Sequence, residues 1–135
     1  MIIKRNLEIE NFAKTIIDEN HNILNPKIYL KHRIENKKFE EDLKVLIDTD
    51  KVDYVLFSSR SGAEEHIDKH LTHLDIYTYI IPIILPNAKV ELITKNNGNH
   101  FLALYQPIKI NHQEPHSLKV ITDEPLVLVM ASKVL

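Results

Sequence analysis

Asp53-Tyr-Val-Leu-Phe-Ser-Ser-Arg60-Ser-Gly-Ala-Glu-Glu-His66-Ile-Asp-Lys-His70-Leu-Thr-His73 is the stretch on which the fold assignment turns. Its first part, 54–57, is apolar and aromatic and reads as a strand that runs on to Arg60. The second part reads as a helix. Ser61 and Glu64 form the Ser-x-x-Glu pattern of a capping box. Gly62 lets the backbone approach closely, for packing or for an anion at the helix N-terminus. His66, His70 and His73 stand at i, i+4 and i+7. At about 100° per residue they share roughly a 60° arc, beside an apolar arc of Ala63, Ile67, Leu71 and Leu74. Asp68 falls on the far side of that helix. Imidazoles on the border of core and solvent are packed well enough to be oriented and open enough to meet a substrate. An arginine delivered beside them suggests proton transfer next to a bound anion.

Helices are expected on the N-terminal side of this stretch. Residues 11–20 carry Phe12, Ala13, Ile16 and Ile17 at helical spacing, with Asn11 as a plausible cap, and Asn25-Pro26 closes the section. The spacing leaves 28–30 undecided between strand and helical turn. Phe39, Leu43, Leu46 and Ile47 form an i, i+4, i+7, i+8 stripe, which predicts an amphipathic helix over 36–48. C-terminal to the stretch, 75–85 reads as a further helix, kinked at Pro82 and stopped by Pro86. Strands are expected at 89–94, 100–106, 118–122 and 126–131, the first two joined by Asn96-Asn97-Gly98-Asn99, a hairpin signal. His112 and His116 fall in a polar connection, 111–116, and are not placed in the site. The predicted class is α+β: one domain over 1–135, with a helical part, 1–52, packed on a core, 53–135, built around an antiparallel four-stranded sheet.

Composition narrows the function. The 135 residues are 44% hydrophobic and 27% charged, ordinary for a globular chain. Cysteine is absent, which excludes disulfides, thiolate metal sites and a cysteine nucleophile, and fits a cytoplasmic protein. No secretory leader is visible at the N-terminus, and the longest apolar run, 79–85, is too short to span a bilayer. The net charge of -2 gives no overall attraction to nucleic acid. Six of the eight histidines lie beyond Phe57, so any positive site there is local.

The strand at 54–59, the His66-Ile-Asp-Lys-His70 segment, the apolar Tyr79-Ile-Ile-Pro82-Ile-Ile-Leu-Pro86 and the β-rich tail resemble a nuclease group. These are phage-associated members of the barnase–EndoU–colicin–RelE-like superfamily, and the resemblance covers roughly 53–131. It implies a toxin-like or phage-associated endoribonuclease that needs no metal or other cofactor. RNA, such as tRNA, would be its substrate, and an immunity protein or antitoxin its partner. It matches His66 and His70 to helix-borne catalytic histidines, and Tyr105, Lys95 and Lys109 to polar residues on the sheet.

In such a site His66 and His70 share the acid and base roles, and Arg60 grips the phosphate through its planar fork. Strand alternation lets only one of His100 and Tyr105 face the substrate, and Tyr105 is the better donor or stacking platform. Ordinary alternatives exist for each residue: a solvent-facing histidine pair, an Arg60 ion pair with Glu64 or Glu65, and a packed Tyr105. Two rival functions stand beside the nuclease. One is an inactive adaptor of the same fold. The other is a metal protein using His66 and His70 with His73 or His100; the zincin pattern fails because Ile67 follows the first histidine.

Overall fold

Two amphipathic stretches become helices. In the computed structural model, which describes residues 7–19, 29–33, 35–60, 62–68, 73–87, 89–120 and 124–135, α1 spans Leu7–Glu19 and α2 spans Lys37–Leu46. Asn36 caps α2, its side-chain oxygen accepting from the Phe39 amide at 3.1 Å. Asn11 lies inside α1 instead of capping it.

The described residues form nine strands: β1 (Tyr29–His32), β2 (Val52–Ser59), β3 (Ala63–His66), β4 (Tyr77–Ile84), β5 (Glu91–Thr94), β6 (Gly98–Phe101), β7 (Ile108–Asn111), β8 (His116–Lys119) and β9 (Leu126–Lys133). They make two antiparallel sheets, ordered β1-β2-β9-β4-β7 and β3-β8-β5-β6. Alternation along the larger sheet sends side chains to two layers. Tyr54, Leu56, Ile81 and Val129 face outward and bury Ile9, Phe12, Phe39 and Leu43 of the helices. Phe57, Ile80 and Leu128 face inward and meet Leu92, Leu102 and Ile110. The larger sheet is therefore covered on both faces, by helices outside and by the second sheet inside.

Much of the predicted architecture is corrected by this arrangement. The class is mostly β with two helices, not α+β with helices on a single four-stranded sheet. The segment expected to be a histidine-bearing helix contains β3. Gly62 takes φ +78, and a Cβ there would run into the Leu118 carbonyl of β8, so the glycine turns the chain into a strand pairing and does not open a helix. The expected helix at 75–85 is strand β4. Its aromatic and β-branched residues suit a strand buried on both faces, where alternation disappears. Pro82, which lacks an N–H, is accommodated at a register shift between Pro82 and Ile84.

The β5–β6 hairpin forms around the predicted asparagine–glycine turn, pairing Thr94 with Gly98. Its second strand ends at Phe101, however, and the chain then turns, with Tyr105 at φ +61. The four strands expected late in the chain do not form one sheet: β5, β6 and β8 belong to one and β9 to the other, which also holds β7, a strand not expected. Among the described residues no helix is long and apolar enough to cross a membrane.

Candidate functional site

A bulged strand brings a histidine–aspartate cluster together. β3 pairs with β8 so that His66 lies opposite His116, with an irregularity between Ala63 and His66. Two residues on, the Asp68 amide donates to the His112 carbonyl at 2.9 Å. In extended chain, residues two apart point to the same side. His66 and Asp68 thus face His116 together. On the expected helix they would have diverged.

Both imidazoles are oriented in the same way. His66 Nδ1 donates to the Glu64 carbonyl at 2.6 Å, and His116 Nδ1 donates to the Glu114 carbonyl at 2.7 Å. A ring nitrogen facing a carbonyl carries the proton, so Nε2 of each neutral ring presents its lone pair. Those two Nε2 atoms lie 3.5 Å from Oδ1 and 3.5 Å from Oδ2 of Asp68. The rings are tilted, with centroids 4.4 Å apart. His116 is 4% exposed, whereas the His66 side chain is 45% exposed, so the cluster runs from the interior to the surface. Burial pulls the His116 pKa down. The Asp68 carboxylate, the Glu114 carbonyl and the charges of both acids outweigh it, and the net direction is upward.

The donor set fits a metal ion. One ligand atom from each of His66, Asp68 and His116 lies within 4.8 Å of the others. The two 3.5 Å nitrogen–oxygen separations go to different oxygens of Asp68, Oδ1 for His66 and Oδ2 for His116, so one carboxylate faces both rings. Both imidazoles already have the backbone-carbonyl partner that typically orients a metal-bound histidine. Asp68 also lines a cavity of about 390 Å³. Val55, Leu74 and Met130 form apolar wall there, the Thr78 and Ser132 hydroxyls lie 3.1 Å apart, and Arg33 pairs with Asp53 at 2.8 Å.

The other expected site residues lie elsewhere. His70 is outside the described residues. Tyr105 packs against the helix-side cluster, its amide donating to the Pro82 carbonyl at 2.8 Å. Arg60 follows the end of β2 and is not in the histidine–aspartate cluster. Lys95 is exposed at the β5–β6 hairpin, its amide bonded to the Pro115 carbonyl. Lys109 sits on β7 with its ammonium 4.2 Å from the centre of the Tyr77 ring. Neither His73 nor His100 joins the cluster. Sequence reasoning passed over Asp68 and His116. The legible signal was the spacing of two in His66-Ile-Asp68, the strand period.

No family model and no curated protein matches this sequence. Solved structures do. One is a cupin domain of an XRE-family transcriptional regulator from Enterobacter cloacae, 13% identical with a TM-score of 0.52, covering 79% of this chain and 97% of that one. A second is a protein from Thermus thermophilus, 12% identical with a TM-score of 0.51, covering 82% and 88%. A third is an RmlC-like cupin protein with a double-stranded β-helix fold from Methanocaldococcus jannaschii, at 11%, 0.49, and 82% and 84%. The likeness shows a cupin-like fold of two facing sheets. It overturns the nuclease resemblance, whose expected histidine helix holds strand β3 over Ala63–His66, and with it the toxin, phage and ribonuclease reading and the inactive-nuclease alternative.

Proposed function

We propose that this chain is a metal-binding cupin-like domain in which His66, Asp68 and His116 hold a divalent transition-metal ion facing a small-molecule cavity. One observation carries the reading: both Nδ1 atoms are engaged by carbonyls, so both Nε2 atoms converge on one carboxylate. Two imidazoles and a carboxylate suit iron(II) and its first-row neighbours, and three protein ligands leave coordination positions open. When bound, such an ion supplies Lewis acidity to a molecule in those positions. The protein's own part is to orient the ligands and to offer the adjoining cavity, whose lining mixes apolar Val55, Leu74 and Met130 with the Thr78 and Ser132 hydroxyls. A cytoplasmic location fits the absence of cysteine.

The test is metal uptake. Chelator-stripped protein is titrated calorimetrically with zinc(II) and manganese(II), and the metal content of freshly purified protein is measured beside it. About one equivalent is expected in the wild type, and none in a His66→Ala/His116→Ala double variant. A wild type that takes up no metal, or a double variant that binds as well, overturns the assignment.

A further inference from the structure

The turn that precedes His116 is tied to a distant hairpin by a buried acid. Glu114 is 7% exposed, and among the described residues its carboxylate pairs with no lysine or arginine. Its two oxygens are used by amides instead. One accepts from the Asn96 backbone N–H; the other accepts from the Asn97 side chain at 3.1 Å. Both asparagines belong to the tip of the β5–β6 hairpin, which is closed on itself by Thr94 Oγ1 to the Gly98 carbonyl at 2.8 Å. A parallel tie runs from the Lys95 amide to the Pro115 carbonyl at 3.1 Å. Glu114 also supplies the carbonyl that takes the His116 Nδ1 proton, and β8 then places His116 between Thr94 on one side and His66 on the other.

We propose that Glu114 is a positioning residue of the metal centre, its carboxylate clamping the hairpin tip to the 112–115 turn so that His116 presents Nε2 to Asp68. The inference rests on the metal reading above. The charge strengthens the two amide bonds that the carboxylate accepts, but it has to be buried. A buried carboxylate without a cationic side chain costs desolvation that a neutral amide avoids. A divalent ion bound by two neutral imidazoles and Asp68 keeps one positive charge. The negative charge of Glu114, which acts on the His116 ring, offsets it in a poorly screened interior. The same residue therefore fixes the geometry and balances the charge. Groups bonded directly to a metal ligand typically change metal affinity by about 10–100-fold when removed; the Glu114 carboxylate acts one step further out, through the turn that carries the carbonyl held by His116.

The experiment compares wild type with Glu114→Ala, Glu114→Gln and Asn97→Ala, using cobalt(II) as probe. Affinity is read by calorimetry and ligand geometry by the visible absorption of bound cobalt, with folding checked by circular dichroism. Glu114→Ala should weaken binding by about tenfold, the lower end of that range, and shift the absorption bands. Glu114→Gln, which keeps one acceptor and loses the charge, should fall between it and wild type. Asn97→Ala, at an exposed hairpin residue, should give a smaller loss. If Glu114→Ala does not fold, Glu114→Gln and Asn97→Ala decide the matter. Folded variants that bind cobalt within twofold of wild type, with the same spectrum, overturn the positioning role and leave the metal centre standing. A wild type that binds no cobalt overturns both.

Discussion

The larger sheet has two faces, and they do different work. Its outer face is dry and aliphatic-aromatic: Phe12 stacks on Phe39, and Leu43, Leu56 and Ile81 fill the layer around them. Its inner face is apolar over Phe57, Ile80 and Leu128. It turns polar around Asp53, Thr78 and Ser132, near the mouth where Asp68 stands. One layer supplies cohesion through area removed from water, while the other tolerates polar groups because they are mutually bonded. Stability and chemistry are thereby separated across the thickness of a single sheet.

That separation is breakable by experiment. Phe39→Ala should cost about 3–5 kcal/mol of stability in urea unfolding, and the variant, where folded, should still bind metal with wild-type stoichiometry. Loss of the site in that variant would show the two layers to be one unit. The reverse case is His66→Ala, at a half-exposed ring. It should reduce metal affinity at least about 100-fold, or roughly 2.7 kcal/mol, while moving the urea midpoint little. Gly62→Ala should affect both layers, because the residue holds a positive φ and sits on the β8 backbone. A loss of about 1–3 kcal/mol, accompanied by weaker metal binding, is expected there.

Smaller effects sharpen the same contrast. Asn36→Ala removes the cap of α2 and should cost about 1 kcal/mol, read as a lower melting temperature without a change in metal affinity. Tyr54 gives the outer layer a pH dependence. Burial raises its pKa above the ordinary 10.0; the Asn36 backbone contact opposes this, and Glu40 and Glu35 add to it. The folded state therefore holds the phenol proton more tightly than the unfolded chain. Its contribution is complete below pH 10.0 and is lost as pH rises through the folded pKa. Urea midpoints measured between about pH 9 and 11 should fall more steeply in wild type than in Tyr54→Phe, and equal slopes would remove the assignment.

The outer layer was the legible one. The stripe from Phe39 to Ile47 and the cap at Asn36 make α2 plain, because a helix with one buried face writes its period into the chain. β4 is covered on both faces and writes no period at all, so Tyr77–Ile84 passes for a helix until its β-branched content is weighed. The histidines misled for a different reason. His66, His70 and His73 fit the helical period, yet His66 ends strand β3, and the irregularity between Ala63 and His66 breaks the alternation ahead of the His66-Ile-Asp68 spacing. His116 lay two residues ahead of the expected strand 118–122, in what reads as a polar loop. The nuclease resemblance inherited both errors, since it was built on the helix they produced.

β9, between β2 and β4, carries a consequence for synthesis. On the ribosome, the strands that flank it emerge first and have nothing between them until residues 126–133 leave the exit tunnel. A nascent chain short of Leu126 holds two long unpaired strand borders, the kind of surface that recruits a neighbouring polypeptide. Pairing of β2 and β4 through their shared neighbour is thus deferred until β9 has been made.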